Sequence, residues 1–292
     1  MVNPKYYIVD VFAEEKYAGN QLAVFRNAAS LSPEVMQKLA NEMHFSETTF
    51  IASDKEHDGG YDVRIFTPDE ELPFAGHPTL GTAYIIRHEI MKDHDGEVRL
   101  NLGVGQITVT GDKRSDVLWM KQKEPVFLRE FTSTDMADML GIGKADIDSR
   151  FPIEEVSTGI SFVMVPLKSL RSIGDSYLDL KKYNEFFGNK KPEGLLVFCP
   201  ETLKKENSLH VRVFTKFPNV LEDPATGSGN GCLAAYLARH RYFGASKVDI
   251  RVEQGCEMGR PSLLFLRSEE KDGHIEVNVG GRVIPIAKGE ME

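Results

Sequence analysis

Two segments far apart in this chain repeat one pattern, and that repeat constrains the fold more than any other feature. In each segment an apolar strand leads through a polar loop and a small-residue turn into a helix. The first, VRIFT…FAGHPT…AYIIR, covers residues 63–87, and the second, VRVFT…DPATGSG…AYLAR, covers residues 211–239. Their starts differ by 211 − 63 = 148 residues, close to half of the 292 in the chain. The repeat predicts two lobes whose helix starts face one cleft, an arrangement that suits a small anionic ligand.

The length of the chain gives the same domain count, because domains most often contain 100–150 residues. With 41% hydrophobic and 27% charged residues, the composition is that of a globular protein with enough apolar material for a core. The boundary is predicted where an apolar strand gives way to KQKEP. We expect residues 1–124 to form the N-terminal lobe and residues 125–292 the C-terminal lobe, with the last strand or tail able to pack back on the N-terminal lobe.

The order of strand and helix signals predicts the fold class. Short runs rich in β-branched and aromatic residues dominate both halves. Helices are expected over residues 33–43, with Ser32 as N-cap and Pro33 in the first turn, and over residues 80–88, 179–187 and 227–240. These signals indicate an α+β fold with two pseudo-symmetric lobes, each a curved, mostly antiparallel sheet wrapped around a central helix.

Charge and cysteine content narrow the function classes. The net charge of −9 disfavours nucleic acid and anionic membranes as partners, since both need a basic surface. No apolar stretch is long enough to span a bilayer, and no secretory signal is visible at the N-terminus. The three scattered cysteines have neither C-x-x-C spacing nor zinc-type spacing with histidine. A cytoplasmic protein without a metal site is therefore expected.

Glycine-rich turns mark the two helix starts. Backbone amides at a helix N-terminus have no intrahelical partner and carry partial positive charge, and glycine lets a ligand approach them closely. Gly76 in the first turn, and Gly227, Ser228 and Gly229 in the second, are therefore candidate substrate-binding residues. The alternative is that both are ordinary capping turns of buried helices. Asn20, in the Gly19-Asn20 turn, is a further candidate because the loop after it could contribute to specificity.

Three titratable residues near these turns are candidate catalytic groups. His77 follows Gly76 and titrates near neutrality, so it can move protons. Asp223 precedes the second turn and could orient a histidine or take a proton itself. Glu47 lies between a helix and an apolar strand, where burial would raise its pKa toward the range useful for acid–base chemistry. Each residue also has a structural interpretation. His77 could cap backbone groups, and Glu47 and Asp223 could be solvated loop carboxylates.

Thiol and nucleotide chemistry are not indicated. Cys232 lies within the predicted second helix, followed by Leu-Ala-Ala, and matches Leu80 of the first repeat, so it is interpreted as a small buried apolar residue. Neither a P-loop nor a G-x-G-x-x-G turn after a strand is present. We therefore expect no cofactor.

Together these residues resemble the phenazine biosynthesis PhzF-like family. The resemblance is carried, in order, by GNQLAVF (19–25), FSETTF (45–50), FAGHPT (74–79), EDPATGSG (222–229), and QG with MGRPS (254–262). It implies a diaminopimelate epimerase-like fold, a cofactor-independent reaction and a homodimer. It also implies that the residue matching Glu47 removes and redelivers a proton, that those matching His77 and Asp223 assist, and that those matching Gly76 and Ser228 contact the substrate.

The predicted function is a cofactor-independent isomerase that moves a proton on a small carboxylate-bearing metabolite. Racemases and epimerases of the implied fold use a cysteine from each lobe, and this chain has none at either turn. Two alternatives remain open: a racemase or epimerase that uses bases other than thiols, and a binding protein on the same fold that catalyses nothing. Specificity is expected from loops after Asn20, around Gly159-Ile160-Ser161 and around Phe217-Pro218-Asn219.

Overall fold

The computed structural model describes residues 4–92, 96–112, 115–217 and 220–291. Pro218 and Asn219 of the predicted specificity loop lie outside the described residues. Every helix within these ranges falls short of the length and apolar character needed to cross a bilayer.

The described residues form eighteen strands and six α-helices. In chain order the strands are β1 (Lys5–Val11), β2 (Asn20–Arg26), β3 (Glu47–Ile51), β4 (Tyr61–Phe66), β5 (Glu71–Leu72), β6 (Val98–Leu102), β7 (Gly105–Asp112), β8 (Val117–Lys121), β9 (Val126–Phe131), β10 (Ile153–Ser157), β11 (Ser161–Pro166), β12 (Gly194–Cys199), β13 (Leu209–Phe217), β14 (Val220–Asp223), β15 (Lys247–Gln254), β16 (Ser262–Lys271), β17 (His274–Gly281) and β18 (Val283–Glu290). The α-helices are α1 (Pro33–Met43), α2 (Gly76–Ile85), α3 (Ser133–Leu140), α4 (Leu170–Asp175), α5 (Leu180–Phe187) and α6 (Gly227–Arg239).

The chain divides into two compact units. The first joins Met1–Met120 with Gly280–Glu292, and the second is Lys121–Val279. The sequence places the boundary between residues 124 and 125, whereas this division falls between residues 120 and 121. The C-terminal strand belongs to the first unit because β18 pairs antiparallel with β1.

Each unit repeats the same series of strand pairings. In the first unit β1 pairs antiparallel with β2, β2 parallel with β3, and β3 antiparallel with β4, which is antiparallel to β5 and parallel to β6. In the second unit β10 to β15 make the same series of pairings in the same order. The first strand of each series also has a second antiparallel neighbour, which is β18 for β1 and β9 for β10. The predicted fold of two pseudo-symmetric, mostly antiparallel units is confirmed.

A buried helix lies against the sheet of each unit. All residues of α2 except Tyr84 are buried, and so are all residues of α6 except Ser228 and Arg239. In the first unit this packing depends on Gly81. A Cβ atom there would lie 2.5 Å from Leu22 Cδ2 and 2.9 Å from Val11 Cγ2, so only glycine lets α2 approach β1 and β2 this closely.

The start of α2 corrects the predicted helix. The sequence places it at Leu80, with the glycine turn before the helix, but the helix begins at Gly76 and therefore includes His77 and Pro78. Proline is compatible with the first helical turn, where its missing N–H has no intrahelical partner to lose. The other buried helix, α6, begins at Gly227 as predicted, with Thr226 as N-cap. Gly76 is thus the first residue of its helix rather than part of a loop before it.

The predicted helix over residues 33–43 is confirmed, and its caps explain its limits. Ser32 accepts a hydrogen bond from the Val35 amide, Pro33 occupies the first turn, and His44 ends the helix in the left-handed conformation. The short helices α3 and α4 have no counterpart among the predicted helices.

A matched ion pair fixes the strand before each buried helix. Arg64 donates through Nε and Nη2 to Glu71, both at 2.7 Å, and Arg212 does the same to Glu222, both at 2.8 Å. Each guanidinium also lies over the phenylalanine ring two residues further along, 5.1 and 4.7 Å from the ring centroid. The duplicated sequence therefore folds into duplicated contacts, which hold the approach to each helix start.

Candidate active site

The first unit brings two predicted catalytic residues into contact. Glu47 is the first residue of β3 and His77 is the second residue of α2. Glu47 Oε2 lies 3.4 Å from His77 Nε2, and the side chains are 17% and 6% exposed. Both predicted residues are therefore within reach of one proton, at the rim of a buried region rather than in solvated loops.

Burial sets the protonation state of His77. Burial lowers the pKa of the imidazole to about 3, against the opposing effect of a hydrogen bond to the Gln21 backbone. Among the described residues, Nε2 has no partner within hydrogen-bonding geometry, so we assign the bond to Gln21 to Nδ1. Because this bond favours the protonated form, Nδ1–H donates to the Gln21 carbonyl. His77 is therefore neutral near neutral pH, with the Nε2 lone pair toward Glu47.

This tautomer defines what the pair can do. When Glu47 carries a proton on Oε2, that O–H can donate to Nε2. The imidazole accepts the bond without itself becoming charged, because its pKa is far below neutrality. The pair can thus hold a proton on the carboxyl group after Glu47 has removed it from a substrate, and release it again.

The second unit surrounds Asp223 with a fixed hydrogen-bond network. Asp223 ends β14, and Thr226, the N-cap of α6, donates from Oγ1 to Asp223 Oδ2 at 2.5 Å. Gln254, fully buried at the end of β15, donates from Nε2 to the Asp223 carbonyl at 2.7 Å and to Thr226 Oγ1 at 3.1 Å. Its Oε1 accepts from the Thr226 amide at 3.2 Å and from Asn230 Nδ2 at 2.8 Å. Asp223 is thus half-buried and hydrogen-bonded to Thr226 and Gln254, which together with Asn230 form the Asp223 cluster.

The predicted substrate-binding residues lie at the starts of three elements. Asn20 is buried at the first residue of β2, Gly76 is the first residue of α2, and Gly227, Ser228 and Gly229 are the first three of α6. Gly76 adjoins His77 in the first unit, while the α6 residues follow the Asp223 cluster in the second. The meeting of these two groups in one cleft stays a prediction.

The structure adds residues that the sequence analysis does not propose as site residues. Gln254 bonds to Asp223 and the Gln21 backbone bonds to His77, while Asn230 donates to Gln254 and to the Thr226 carbonyl. A signal for Gln254 was present, since it precedes Gly255 in the QG motif. Gly255 has φ +76°, and a Cβ atom there would lie 2.5 Å from the Pro224 carbonyl oxygen. The glycine thus lets the end of β15 approach Pro224, the residue after Asp223.

The thiols are not activated. Burial raises the pKa of Cys232 and Cys256 to about 11 and that of Cys199 to about 12, and all three are free. These values support the interpretation of Cys232 as a small apolar residue. Within the described part of the chain, no three histidine, cysteine or acidic side chains are placed to hold a metal ion.

Comparison with solved structures defines the class. A Bacillus anthracis phenazine biosynthesis protein of the PhzF family superimposes with a TM-score of 0.90 over 100% of both chains, at 23% identity. A probable proline racemase from Agrobacterium radiobacter gives a TM-score of 0.64 over 99% of this chain and 93% of the other, at 12% identity. The fold is the diaminopimelate epimerase-like fold shared by PhzF proteins and proline racemases.

Sequence comparison gives the family. The sequence profile described as "Phenazine biosynthesis-like protein" matches residues 9–289, so this chain belongs to that family. The trans-2,3-dihydro-3-hydroxyanthranilate isomerase of Pseudomonas aeruginosa is 34% identical over 287 residues, which are 98% of each chain. An uncharacterised isomerase of Mesorhizobium japonicum is 31% identical over 100% of this chain and 99% of its own. The chain is accordingly a PhzF-like isomerase.

Proposed function

We propose that this protein is a cofactor-independent isomerase that moves a proton within a small carboxylate-bearing metabolite. The observation that carries the proposal is the 3.4 Å contact between Glu47 Oε2 and the Nε2 atom of a neutral His77. The dihydro-hydroxyanthranilate named for the Pseudomonas aeruginosa relative is the first substrate to test.

The proposed reaction is balanced by one proton and one electron pair. The Glu47 carboxylate takes a proton from a substrate carbon, and the electrons of that C–H bond move into the adjacent conjugated system. The protonated Glu47 then donates its hydrogen bond to His77 Nε2, which holds it for the second half of the reaction. While Glu47, 17% exposed, carries the proton, that proton exchanges with solvent. Delivery of a solvent-derived proton at the other end of the conjugated system then completes the isomerisation and restores the carboxylate.

The two helix starts are proposed to bind the anionic group of the substrate. Backbone amides in a first helical turn have no intrahelical partner. At the start of α2 only Gly76 and His77 offer such amides, because Pro78 has no N–H. At the start of α6, Gly227, Ser228 and Gly229 each offer one. We propose that Asn20 and the Asp223 cluster supply the remaining polar contacts.

The test is proton exchange with solvent in D₂O. Wild-type protein with trans-2,3-dihydro-3-hydroxyanthranilate is expected to give an isomer that carries deuterium at the new C–H position. Glu47→Gln should reduce this incorporation by at least 100-fold, since a general base typically contributes about 10²–10⁴-fold. Glu42→Gln, which changes an exposed glutamate of α1, is the matched control.

Retained exchange in the folded Glu47→Gln protein would reject Glu47 as the base. Inversion of a stereocentre without movement of a double bond would instead indicate a racemase or epimerase.

We further propose that the protein works in the cytoplasm as a homodimer. A single-chain mass of 32.7 kDa in light scattering would refute the dimer.

A further inference from the structure

Gln254 is held in one orientation by its partners. The Thr226 backbone N–H can only donate, so the Gln254 atom facing it is Oε1; the Asp223 carbonyl can only accept, so the atom facing it is Nε2. Asn230 supports this assignment because its Nδ2 donates both to Gln254 Oε1 and to the Thr226 carbonyl. The positions of the two Gln254 atoms therefore follow from groups whose hydrogen-bonding roles are unambiguous.

The fixed amide determines where the Thr226 proton points. A hydroxyl has one proton to donate and lone pairs to accept with. Gln254 Nε2–H donates to Thr226 Oγ1 at 3.1 Å, so that side of the hydroxyl acts as acceptor. The single Thr226 proton is then left for Asp223 Oδ2, 2.5 Å away. A hydroxyl that would otherwise rotate freely is aimed at one carboxylate oxygen.

A hydrogen bond donated to a carboxylate favours its ionised form. The neighbouring carboxylate in sequence, Glu222, does not compete for this hydroxyl, because Arg212 holds it through two bonds of 2.8 Å. The Gln254 side chain also has no exposure to solvent, so water does not replace its donors. The chain of donors Gln254 → Thr226 → Asp223 is thus directional, and its first two members are buried.

We propose that Gln254 is a positioning residue for proton transfer: it orients the Thr226 hydroxyl and so holds the Asp223 carboxylate in place and in its ionised form. This inference rests on the proposed function for the importance of Asp223 in the reaction. The hydrogen-bond relay itself can be tested independently of any substrate.

The experiment is a titration of the Asp223 carboxyl carbon in ¹³C-aspartate-labelled, full-length protein, with the signal assigned by its absence in Asp223→Asn. Gln254→Glu keeps an oxygen for the Thr226 amide and Asn230 but loses the N–H donors. Thr226→Val removes the relay hydroxyl directly. In Thr226→Val the Asp223 midpoint should move up by about one pH unit, because the hydrogen bond to the ionised form is lost. In Gln254→Glu it should move up by at least as much, because the new carboxylate also repels the Asp223 charge, so the uncharged Thr226→Val measures the hydrogen-bond effect by itself.

The control is Gln37→Glu, since Gln37 Nε2 also donates to two backbone carbonyls, those of Thr67 and Pro68 at 2.8 and 3.0 Å. It loses comparable bonds elsewhere and should leave the Asp223 midpoint unchanged. If Gln254→Glu does not fold, as judged by circular dichroism, Thr226→Val carries the test. A wild-type midpoint in the folded variants would overturn the inference, even if Asp223→Asn abolished deuterium exchange. Shifted midpoints together with full activity of Asp223→Asn would uphold the relay and reject the catalytic role of Asp223.

Discussion

Replacing His210 with glutamine is predicted to remove a pH-dependent part of the stability of the second unit. His210 lies on β13 with no solvent exposure. Its Nδ1 is 2.9 Å from Glu253 Oε1 and its Nε2 is 2.9 Å from Glu257 Oε1. Glu253 also accepts from the backbone amides of Leu203 and Lys204. The imidazole therefore joins two carboxylates that adjoin the Gln254 network.

The magnitude follows from the pKa of His210. Burial alone would lower it, but hydrogen bonds to Glu253 and Glu257 and the charges of these carboxylates outweigh burial and raise it to about 9. Relative to the ordinary value of 6.5, at about 1.4 kcal/mol per pH unit, the protonated cluster contributes about 3 kcal/mol. Because the folded pKa is the higher one, this contribution is complete below about pH 6.5 and is lost as the pH rises through about 9.

The same contacts lower the pKa of Glu253 and Glu257 against the opposing effect of their burial. The lowered carboxylate pKa values change the stability only in acid, where the protein is destabilised as Glu253 and Glu257 become protonated, so they are not added to the contribution of about 3 kcal/mol. A titration between pH 6 and pH 10 therefore isolates the His210 contribution.

The assay is urea unfolding by circular dichroism for wild-type protein and His210→Gln at several pH values. The difference in unfolding free energy between the two should fall by about 3 kcal/mol from pH 6 to pH 10. His274→Gln is the control, since His274 is 77% exposed beside Glu124. A wild-type-minus-variant difference that stays constant across this range would refute the reasoning, as would a His210 ring signal that titrates near pH 6.5.

Three further predictions follow from burial. Arg212→Ala should lower the free energy of unfolding in urea by about 3–5 kcal/mol, because Arg212 is buried and also donates to two backbone carbonyls at 2.9 and 2.8 Å. Arg64→Ala should lower it by at most about 1 kcal/mol, because its ion pair is exposed. Equal losses in the two variants would contradict this. Gly81→Ala should destabilise by about 1–3 kcal/mol through overpacking, and unchanged stability would show that α2 can shift away. Cys232 should not react with a thiol reagent at pH 8 until the protein is unfolded; rapid labelling of the native protein would mean that it is accessible.

Much of the candidate site follows from sequence because its residues are tied to local chemistry. Glycine and small residues at a helix start, and a titratable residue beside them, lie within one turn of each other wherever the helix packs. The contact of Glu47 with His77 is different, since 30 residues separate them. It exists because β3 pairs with β2 and α2 packs against β2, which the sequence signals only indirectly.

The protonation of His77 is also a tertiary property. The residue type allows either charge at neutral pH, and only its burial makes it neutral. The contacts of Gln254 are likewise tertiary, because they exist only where the end of β15 lies beside the end of β14 and the start of α6. The QG motif marks the position, but the hydrogen-bond partners of Gln254 lie 24 to 31 residues away in sequence, so its local pattern does not give its contacts.

The sequence alone determined the duplication, the strand and helix types and the residues that can carry charge, because periodicity, capping and turn chemistry act over a few neighbouring residues. Only the tertiary structure decided that α2 begins at Gly76, that the C-terminal strand completes the first unit, and which polar groups are desolvated. Those outcomes depend on strand pairing and burial between distant segments, whose free energy is not present in any local stretch of the chain.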